Sequence, residues 1–400
     1  MSENKPMIPI ARPTLDEREV EAVRRVILSG WVTQGPEVAA FEREFAAFVG
    51  APHAVAVSSA TTALHLALLA AGVSPGDDVV TVSHSFIATA NAVRYCGARP
   101  VFVDVQPDTF NLDPGLLERA LTPATKAVLC VHQVGMPCDL NAILPFCHAR
   151  RLTLIEDAAC AAGSEILWDG RFERIGRPHG DIACFSFHPR KLLTTGDGGM
   201  ITTSNPAWDA KFRLWRQHAM GVPDTVRHAS KAVVFESYQE LGYNYRMTDL
   251  QAAIGRIQIE RLPGLVVARR ARAGRYREIL AAIPGLILPE EPEWARSNWQ
   301  TYGVRLPAGT DQRTVMQRML EAGVSTRRGV MCAHREPAYA PAGSWSCGAG
   351  PGACGCAPGA CVRLRESERA QDETLALPLL NEMTDAQQDA VAEALRRALA

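Results

Sequence analysis

A single lysine, Lys191, lies between two apolar runs with the composition of buried strands, Ala183 to Phe187 and Met200 to Thr203. The turn that carries it is polar and rich in glycine. Lysine is rarely buried without a partner. Either such an ammonium pairs with a carboxylate, or the amine is partly desolvated so that it can be neutral and nucleophilic. On this stretch alone, an ordinary loop lysine is the simpler interpretation.

Two other strand ends carry polar groups. Ser58-Ser-Ala-Thr-Thr62 ends an apolar run and opens a helix, whose free N–H groups, with the hydroxyls of Thr61 and Thr62, are suited to a phosphate. Simple capping of the helix would explain the same residues. Leu154-Ile-Glu-Asp157 ends another run with an acidic pair. An acid at that position can bind a metal ion, cap a helix or hold a protonated ring nitrogen.

The three groups together suit pyridoxal 5′-phosphate (PLP). A lysine amine can hold the aldehyde as a Schiff base, an acid can keep the pyridine nitrogen protonated, and a helix end can take the phosphate. A lysine displaced by substrate would be a free amine able to carry a proton. The pattern therefore predicts PLP chemistry at Lys191.

The elements that must position these groups alternate along the chain. Apolar strand candidates at 53–58, 78–82, 100–105, 126–132 and 152–156 are separated by helix-like segments at 61–71, 86–96, 114–121 and 140–150. This alternation predicts an α/β fold with a mainly parallel sheet between helices. Ligands bind at the carboxyl ends of the strands in such sheets, where all three groups fall.

The flanking segments complete the expected organisation. The sequence predicts two N-terminal helices, the first opened by a capping box at Thr14-Leu-Asp-Glu17, and later helices at 208–218, 250–262, 269–283, 312–322 and 384–399 with a strand near 299–306. We expect a large PLP-binding domain at 1–250 and a smaller α/β domain at 251–400. Residues 342–361, rich in Gly, Ala, Pro and Cys, predict an irregular loop.

Composition narrows the class of protein. The 400 residues are 47% hydrophobic and 21% charged with a formal net charge of −1, so no electrostatic argument favours nucleic acid or an anionic membrane. No apolar run has membrane-spanning length and the N-terminus lacks the apolar segment of a signal peptide. We expect a cytoplasmic protein that binds small molecules, in which eleven cysteines do not imply disulfides.

The ordered motifs resemble the DegT/DnrJ/StrS group of PLP-dependent sugar aminotransferases, within the aspartate aminotransferase fold (fold type I). The resemblance runs from about Ser29 to the C-terminal helix. Each motif is weak alone, and the ordered set is specific: Ser29-Gly-Trp-Val-Thr-Gln-Gly-Pro36, Ser58-Ser-Ala-Thr-Thr-Ala-Leu-His65, Glu156-Asp-Ala-Ala159, Phe185-Ser-Phe-His-Pro-Arg-Lys191, Thr194-Thr-Gly-Asp-Gly-Gly199, Gly242-Tyr-Asn-Tyr-Arg-Met247 and His334-Arg-Glu-Pro-Ala-Tyr339.

The resemblance implies a role for each matching residue. Lys191 would form the Schiff base and Asp157 would bind the pyridine nitrogen. Phe86 would stack on the cofactor ring, and the phosphate contacts would be Thr61, Thr62 and Ser186. Asn244, with Arg246 beside it, would serve the phosphate of a neighbouring subunit, which implies a homodimer with shared active sites.

Two positions depart from the family pattern. Cys160 stands where the family has Gln or His near the phenolic oxygen of the cofactor, and a thiol is a poorer hydrogen-bond donor. Asp197 replaces a glutamate, which is a milder change. Lysine at position 191 argues against the related dehydratases, which carry histidine there.

Other polar residues allow two interpretations. His188 could touch cofactor or substrate, or pack in the core. Arg328 and His334 could bind a nucleotide-sugar diphosphate, or belong to an ordinary solvated surface. Cys347, Cys354, Cys356 and Cys361 raise the possibility of zinc, but they lack paired Cys-x-x-Cys spacing, so the sequence favours a reduced, flexible insertion without metal.

The sequence thus predicts an aminotransferase that moves an amino group from glutamate or glutamine to a nucleotide-linked keto sugar, a 4-keto-6-deoxyhexose in the first instance. The product would serve surface polysaccharide or a glycosylated natural product. One alternative aminates a 3-keto sugar or a keto-inositol on the same fold. Another is a PLP-binding regulatory protein without turnover, against which an intact Lys191 and Asp157 count.

Overall fold

A computed structural model describes residues 7–222, 230–233, 235–238, 240–348, 356 and 359–400. Within these residues, seven strands form a central sheet in the order β1-β9-β8-β5-β4-β2-β3. All its neighbouring strands are parallel except β9, which is antiparallel to both β1 and β8. The strands of this sheet are β1 (His53–Val57), β2 (Asp78–Val82), β3 (Arg99–Val103), β4 (Thr125–Val131), β5 (Thr153–Asp157), β8 (Ile182–Ser186) and β9 (Gly199–Thr203).

Helices cover both faces of the central sheet. Successive residues of a strand point to opposite faces, and the strands carry buried apolar residues on both. Val55 and Val57 pack with α3, α4 and α7, whereas Ala54 and Ala56 pack with α2, α6 and α8. The helices are α1 (Glu17–Ser29), α2 (Pro36–Val49), α3 (Ala60–Ala70), α4 (Ala88–Tyr95), α5 (Leu117–Ala120), α6 (Leu140–Ala149), α7 (Pro206–Trp215), α8 (Asp249–Leu280), α9 (Gln312–Glu321), α10 (Arg365–Glu373) and α11 (Asp385–Leu399). This three-layer arrangement confirms the predicted fold class.

A second hydrophobic cluster occupies the C-terminal part. A three-stranded sheet, β11-β13-β12, packs with α9, α11 and the end of α8. Its strands are β11 (Tyr302–Arg305), β12 (Arg327–Arg328) and β13 (Thr374–Leu377). Helix α8 contributes to both clusters, with Leu262 in the first and Tyr276 in the second. The predicted domain boundary at residue 250 therefore falls at the start of a helix shared by the two cores.

Three local predictions were wrong. Segments 250–262 and 269–283 form one continuous helix, α8, which passes through Pro263. Pro263 is exposed, and Leu262, Leu265 and Val266 beside it are buried, so packing along one face outweighs the backbone hydrogen bond that proline removes. The capping box of α1 is formed by Asp16 and Glu19 rather than from Thr14.

The third error was the omission of a hairpin between β5 and β8. Strands β6 (Glu165–Trp168) and β7 (Arg171–Arg174) pair antiparallel, and the short β10 (Ala295–Arg296) extends their sheet. Asp169 and Gly170 both have positive φ, the geometry of a two-residue hairpin turn. The Asp-Gly pair was the available signal.

No helix among the described residues is long and apolar enough to cross a membrane.

Candidate active site

The turn after β8 places Lys191 at the carboxyl edge of the central sheet. Its amide donates to the carbonyl of His188 at 2.8 Å, and Thr195 N–H returns to Phe187 O at 3.0 Å, which closes the turn. The half-buried Lys191 side chain directs its Nζ to the Sγ of Cys160 at 3.0 Å. The lysine amine is therefore held beside a thiol rather than in a direct ion pair.

Asp157 ends the neighbouring strand β5, opposite Cys184 of β8. It is 5% exposed, Thr89 of α4 donates to its Oδ2 at 2.7 Å, and the Ala159 amide donates to its Oδ1 at 3.1 Å. Burial raises the pKa of Asp157, against the opposing effects of these hydrogen bonds and of the Lys191 charge. A buried carboxylate held in this way is suited to a cationic partner such as a protonated ring nitrogen.

The first turn of α3 lies against the first residue of β9. Ser59 caps the helix by accepting from the Thr62 amide at 3.2 Å, while the Thr62 hydroxyl donates to the Ser59 carbonyl at 2.8 Å. An added Cβ at Gly199 would lie 2.5 Å from the Ser59 carbonyl carbon and 2.8 Å from Ala60 N. Gly199 is the register partner of Ser186 on β8, so this close approach brings Ser186 to the helix start. We call Ser59 to Thr62 together with Ser186 the phosphate cup.

The other predicted cofactor contacts lie around this edge. Phe86, in the loop between β2 and α4, is 60% exposed. Asn244 is exposed and Arg246 is half-buried, and between them the carbonyl of Tyr245 accepts from the Ser58 amide at 2.8 Å. The segment that carries Asn244 and Arg246 therefore runs beside the phosphate cup of its own chain.

The three predicted substrate residues differ in their contacts. The Nδ1 of His188 accepts from the Arg190 amide at 3.2 Å, and burial lowers the pKa of His188. Arg328 is exposed and bonds Glu336. His334 is buried, with Ser83 Oγ at 2.6 Å from Nδ1 and a Glu368 oxygen at 3.1 Å from Nε2.

These contacts give His334 a role within the protein. Its two ring nitrogens join the loop after β2 to α10, so a contact between His334 and substrate would require one of these hydrogen bonds to break.

Sequence reasoning missed a loop before β11 that supports the catalytic turn. Asn298 donates to the carbonyls of Cys160 and Ala162 at 2.8 and 2.9 Å. Gln300 accepts from the Leu192 amide at 3.0 Å and donates to Arg190 O at 2.5 Å. Trp299 between them has φ of 53°. The sequence feature that could have been noticed is the pair of amide side chains in Asn298-Trp-Gln300. Because these residues lie more than 100 positions after Lys191, the sequence alone gave no indication that they contact the catalytic turn.

Thr89 was also missed, although it lies four residues after Ser85, with which it shares a 2.8 Å hydroxyl hydrogen bond. A helix-borne hydroxyl just beyond a strand end was the available signal.

The residues present fit PLP. The phosphate cup, made possible by the missing side chain of Gly199, offers hydroxyls and a helix N-terminus, while Asp157 supplies a buried acid and Lys191 a half-buried amine. The donor set matches the aldehyde, phosphate and ring nitrogen of that cofactor.

Comparison with known proteins agrees with this chemistry. The family model described as the DegT/DnrJ/EryC1/StrS aminotransferase family matches residues 13–396. The spore coat polysaccharide biosynthesis protein SpsC of Bacillus subtilis is 37% identical over 97% of this chain and 96% of its own length. The GDP-perosamine synthase of Caulobacter vibrioides is 40% identical over 84% of this chain and 87% of its own.

Among solved structures, the aminotransferase TlmJ from Streptoalloteichus hindustanus superposes with a TM-score of 0.85 and 34% identity, covering 98% of this chain and 99% of that one. The family match contains every residue of the site and nearly all of both hydrophobic cores. The chain therefore belongs to the DegT/DnrJ/EryC1/StrS aminotransferase family and is a PLP-dependent aminotransferase.

Proposed function

We propose that this enzyme transfers an amino group from glutamate or glutamine to a nucleotide-linked keto sugar, a 4-keto-6-deoxyhexose. The observation that carries the proposal is the half-buried Lys191 amine beside Cys160, on the same sheet edge as the buried Asp157 and the phosphate cup. Relatives named for a GDP-linked sugar product and for spore coat polysaccharide support a sugar acceptor. We place the reaction in the cytoplasm and its product in polysaccharide or natural-product glycosylation.

Each residue has a defined task in this proposal. Bound PLP supplies an electron sink for the pair left behind when a proton leaves the amine-bearing carbon. Nζ of Lys191 would hold the cofactor at rest and, as a free amine once the amino donor is bound, would accept that proton. Asp157 would pair its carboxylate with the protonated ring nitrogen, and Thr89 fixes the direction of that carboxylate. The first turn of α3 and Ser186 bind the phosphate.

Cys160 and Phe86 would lie next to the pyridine ring of the cofactor. The Cys160 thiol keeps the Lys191 amine directed to the reacting edge through their 3.0 Å contact. Phe86, with 60% of its surface exposed, offers an aromatic face for stacking and for excluding water.

The first experiment tests the lysine and the transfer together. Purified enzyme mixed with glutamate should form 2-oxoglutarate in stoichiometric amount, with a matching change in the absorption spectrum of the cofactor. Lys191→Ala should abolish both, whereas Lys126→Ala, at an exposed lysine distant in sequence, should leave them unchanged.

Candidate nucleotide keto sugars are then screened for restoration of the original spectrum, with the amino sugar identified by mass spectrometry. Turnover confined to 3-keto sugars or keto-inositols would replace the proposed acceptor. Retained cofactor without any 2-oxoglutarate would favour a regulatory protein without turnover.

We further propose that the active unit is a homodimer in which Asn244 serves the partner's cofactor. Asn244 is exposed, and apolar side chains of α1, among them Ile27 and Leu28 at 57% and 70% exposure, offer a surface for a second copy. The segment of Asn244 lies beside the phosphate cup of its own chain, so service within one subunit is the competing arrangement.

Mixing two inactive variants distinguishes these arrangements. Lys191→Ala and Asn244→Ala subunits, unfolded and refolded together, should regain about one quarter of wild-type activity, because half of the dimers are mixed and each has one intact site of two. If Asn244 serves its own subunit, mixed dimers contain no intact site and activity stays at the level of the unmixed variants.

A further inference from the structure

Three cysteines of the C-terminal loop converge although their spacing is irregular. The sulfur atoms of Cys347, Cys356 and Cys361 lie within 4.8 Å of one another. Cys347 and Cys361 are buried and Cys356 is half-buried. Among the described residues, this is the one group of three or more His, Cys, Asp or Glu side chains close enough to share a metal ion.

The chemistry of such a cluster selects a thiophilic metal. Zinc binds thiolate sulfur at about 2.3 Å with tetrahedral geometry, which places neighbouring sulfurs about 3.8 Å apart. The separations here accommodate that spacing with small movements. Oxygen-seeking cations such as Mg²⁺ and Ca²⁺ have no carboxylate in the group.

We propose that the reduced chain binds a structural Zn²⁺ ion through Cys347, Cys356 and Cys361. This reverses the sequence-based preference for a metal-free insertion, because convergence in space outweighs the absence of paired Cys-x-x-Cys spacing. Cys354 lies outside the described residues and is no part of the proposed set. The remaining coordination position takes water or a further ligand.

The residues next to the cysteines already make hydrogen bonds to two neighbouring elements, β3 and α10. Ser346, next to Cys347, bonds to the edge strand β3 through Phe102 N at 2.7 Å and Pro100 O at 3.0 Å. The Cys361 amide donates to Glu368 of α10 at 2.6 Å. A metal at these sulfurs would therefore tie the edge of the central sheet to α10.

The region around the cysteines also makes hydrogen bonds to α4, the helix that orients Asp157. Arg94 of α4 donates to Ser344 O at 3.0 Å, and Tyr339 donates to Asn91 of α4 at 2.8 Å. The same helix carries Thr89, which holds Asp157. Metal at the cysteine cluster would thus support the active site indirectly, without contact with cofactor or substrate.

Cys356 is disulfide-bonded in the structure, so its sulfur must first be reduced. A water-soluble trialkylphosphine donates two electrons to the disulfide and becomes the phosphine oxide with oxygen from water, which leaves two thiols. Each thiol that binds zinc then releases its proton. The proposal concerns this reduced form.

The test measures metal in the full-length enzyme, reduced with phosphine, incubated with zinc and desalted. We expect about one zinc per chain by elemental mass spectrometry, consistent with one cluster. Cys347→Ser and Cys361→Ser should lower zinc retention by at least about tenfold, since even outer-shell partners have effects of that size. Cys96→Ser, at the buried cysteine that follows α4 as its C-cap and lies outside the cluster, is the matched control and should retain zinc.

A second readout needs no substitution. Cobalt added to the reduced wild-type enzyme should give the intense visible absorption of tetrahedral cobalt and a sulfur-to-cobalt charge-transfer band, and stoichiometric zinc should remove both. If the reduced wild-type chain retains no zinc and gives no cobalt–thiolate band, the proposal is overturned, as it also is if Cys96→Ser loses as much metal as Cys347→Ser.

Discussion

Gly199→Ala should weaken cofactor binding although residue 199 bears no functional group. The added Cβ would lie 2.5 and 2.6 Å from the carbonyl carbon and oxygen of Ser59, and 2.8 Å from Ala60 N. Non-bonded heavy atoms are normally at least about 3.5 Å apart, so the start of α3 must move away by about 1 Å. Inserting a methyl group into a packed site costs about 1–3 kcal/mol. Expressed wholly as lost affinity, that range corresponds to about 5- to 150-fold weaker PLP binding.

The assay is an equilibrium titration of the apoenzyme with PLP, followed by absorption, beside the same titration with pyridoxal. Pyridoxal lacks the phosphate, so the substitution should weaken PLP more than pyridoxal. Gly274→Ala is the matched control, because that glycine lies in α8 with open space around it and alanine there favours the helix. Equal weakening for both ligands, or none for either, would refute the idea that Gly199 makes room for the phosphate cup.

Three further substitutions test the acid and the buried charges. Asp157→Asn should lower kcat by about 10²–10³-fold in steady-state assays with glutamate, with PLP still bound, because a charge opposite the ring nitrogen is lost; unchanged kcat would contradict the assignment. Thr89→Val removes the 2.7 Å hydrogen bond to Asp157 and should lower kcat about tenfold with little change in KM, whereas Thr89→Ser should restore it. Burial alone would raise the pKa of Glu42, but Arg216 and Arg213 outweigh it and hold that pKa below its usual value. Glu42 therefore stabilises the fold above about pH 4.3, and this contribution is lost as the pH falls through the lower folded-state pKa. Urea unfolding at a series of pH values should show that the free energy of unfolding falls less towards acid pH in Glu42→Gln than in wild type. An identical dependence of that free energy on pH in the two proteins would show that Glu42 is not the group responsible.

The sequence predicted well those features that depend on local pattern. Strands β1 to β5 and the helices between them follow the alternation of apolar runs and periodic segments, with most ends displaced by no more than two residues. The exception is the segment predicted at 114–121, which begins as a 3-10 turn and is α-helical only from Leu117 to Ala120. Lys191 and Asp157 could be located because strand ends in a parallel sheet share one edge.

Features that depend on distant contacts were not predicted. The continuity of α8 past Pro263 follows from burial of Leu262 and Val266, which no local propensity reports. Asn298 reaches the Cys160 carbonyl across 138 residues of chain, and nothing in either segment announces the other. The cluster of Cys347, Cys356 and Cys361 was not predicted, because its spacing matches no familiar zinc-binding motif. In each case tertiary packing decided, and a single sequence carries little information about it.

The order of strands in the central sheet has a consequence for synthesis. The neighbour of β1 in that sheet is β9, so His53 and Val57 find their partners Thr203 and Gly199 only after half of the chain has left the ribosome. At ordinary elongation rates the emerging β1 waits on the order of ten seconds with its backbone groups unpaired. During that interval its apolar Ala-Val-Ala-Val sequence is an exposed edge open to pairing with other nascent chains. Yield in the cell should therefore depend on holdase chaperones and on translation speed before codon 203 more than on the stability of the finished enzyme.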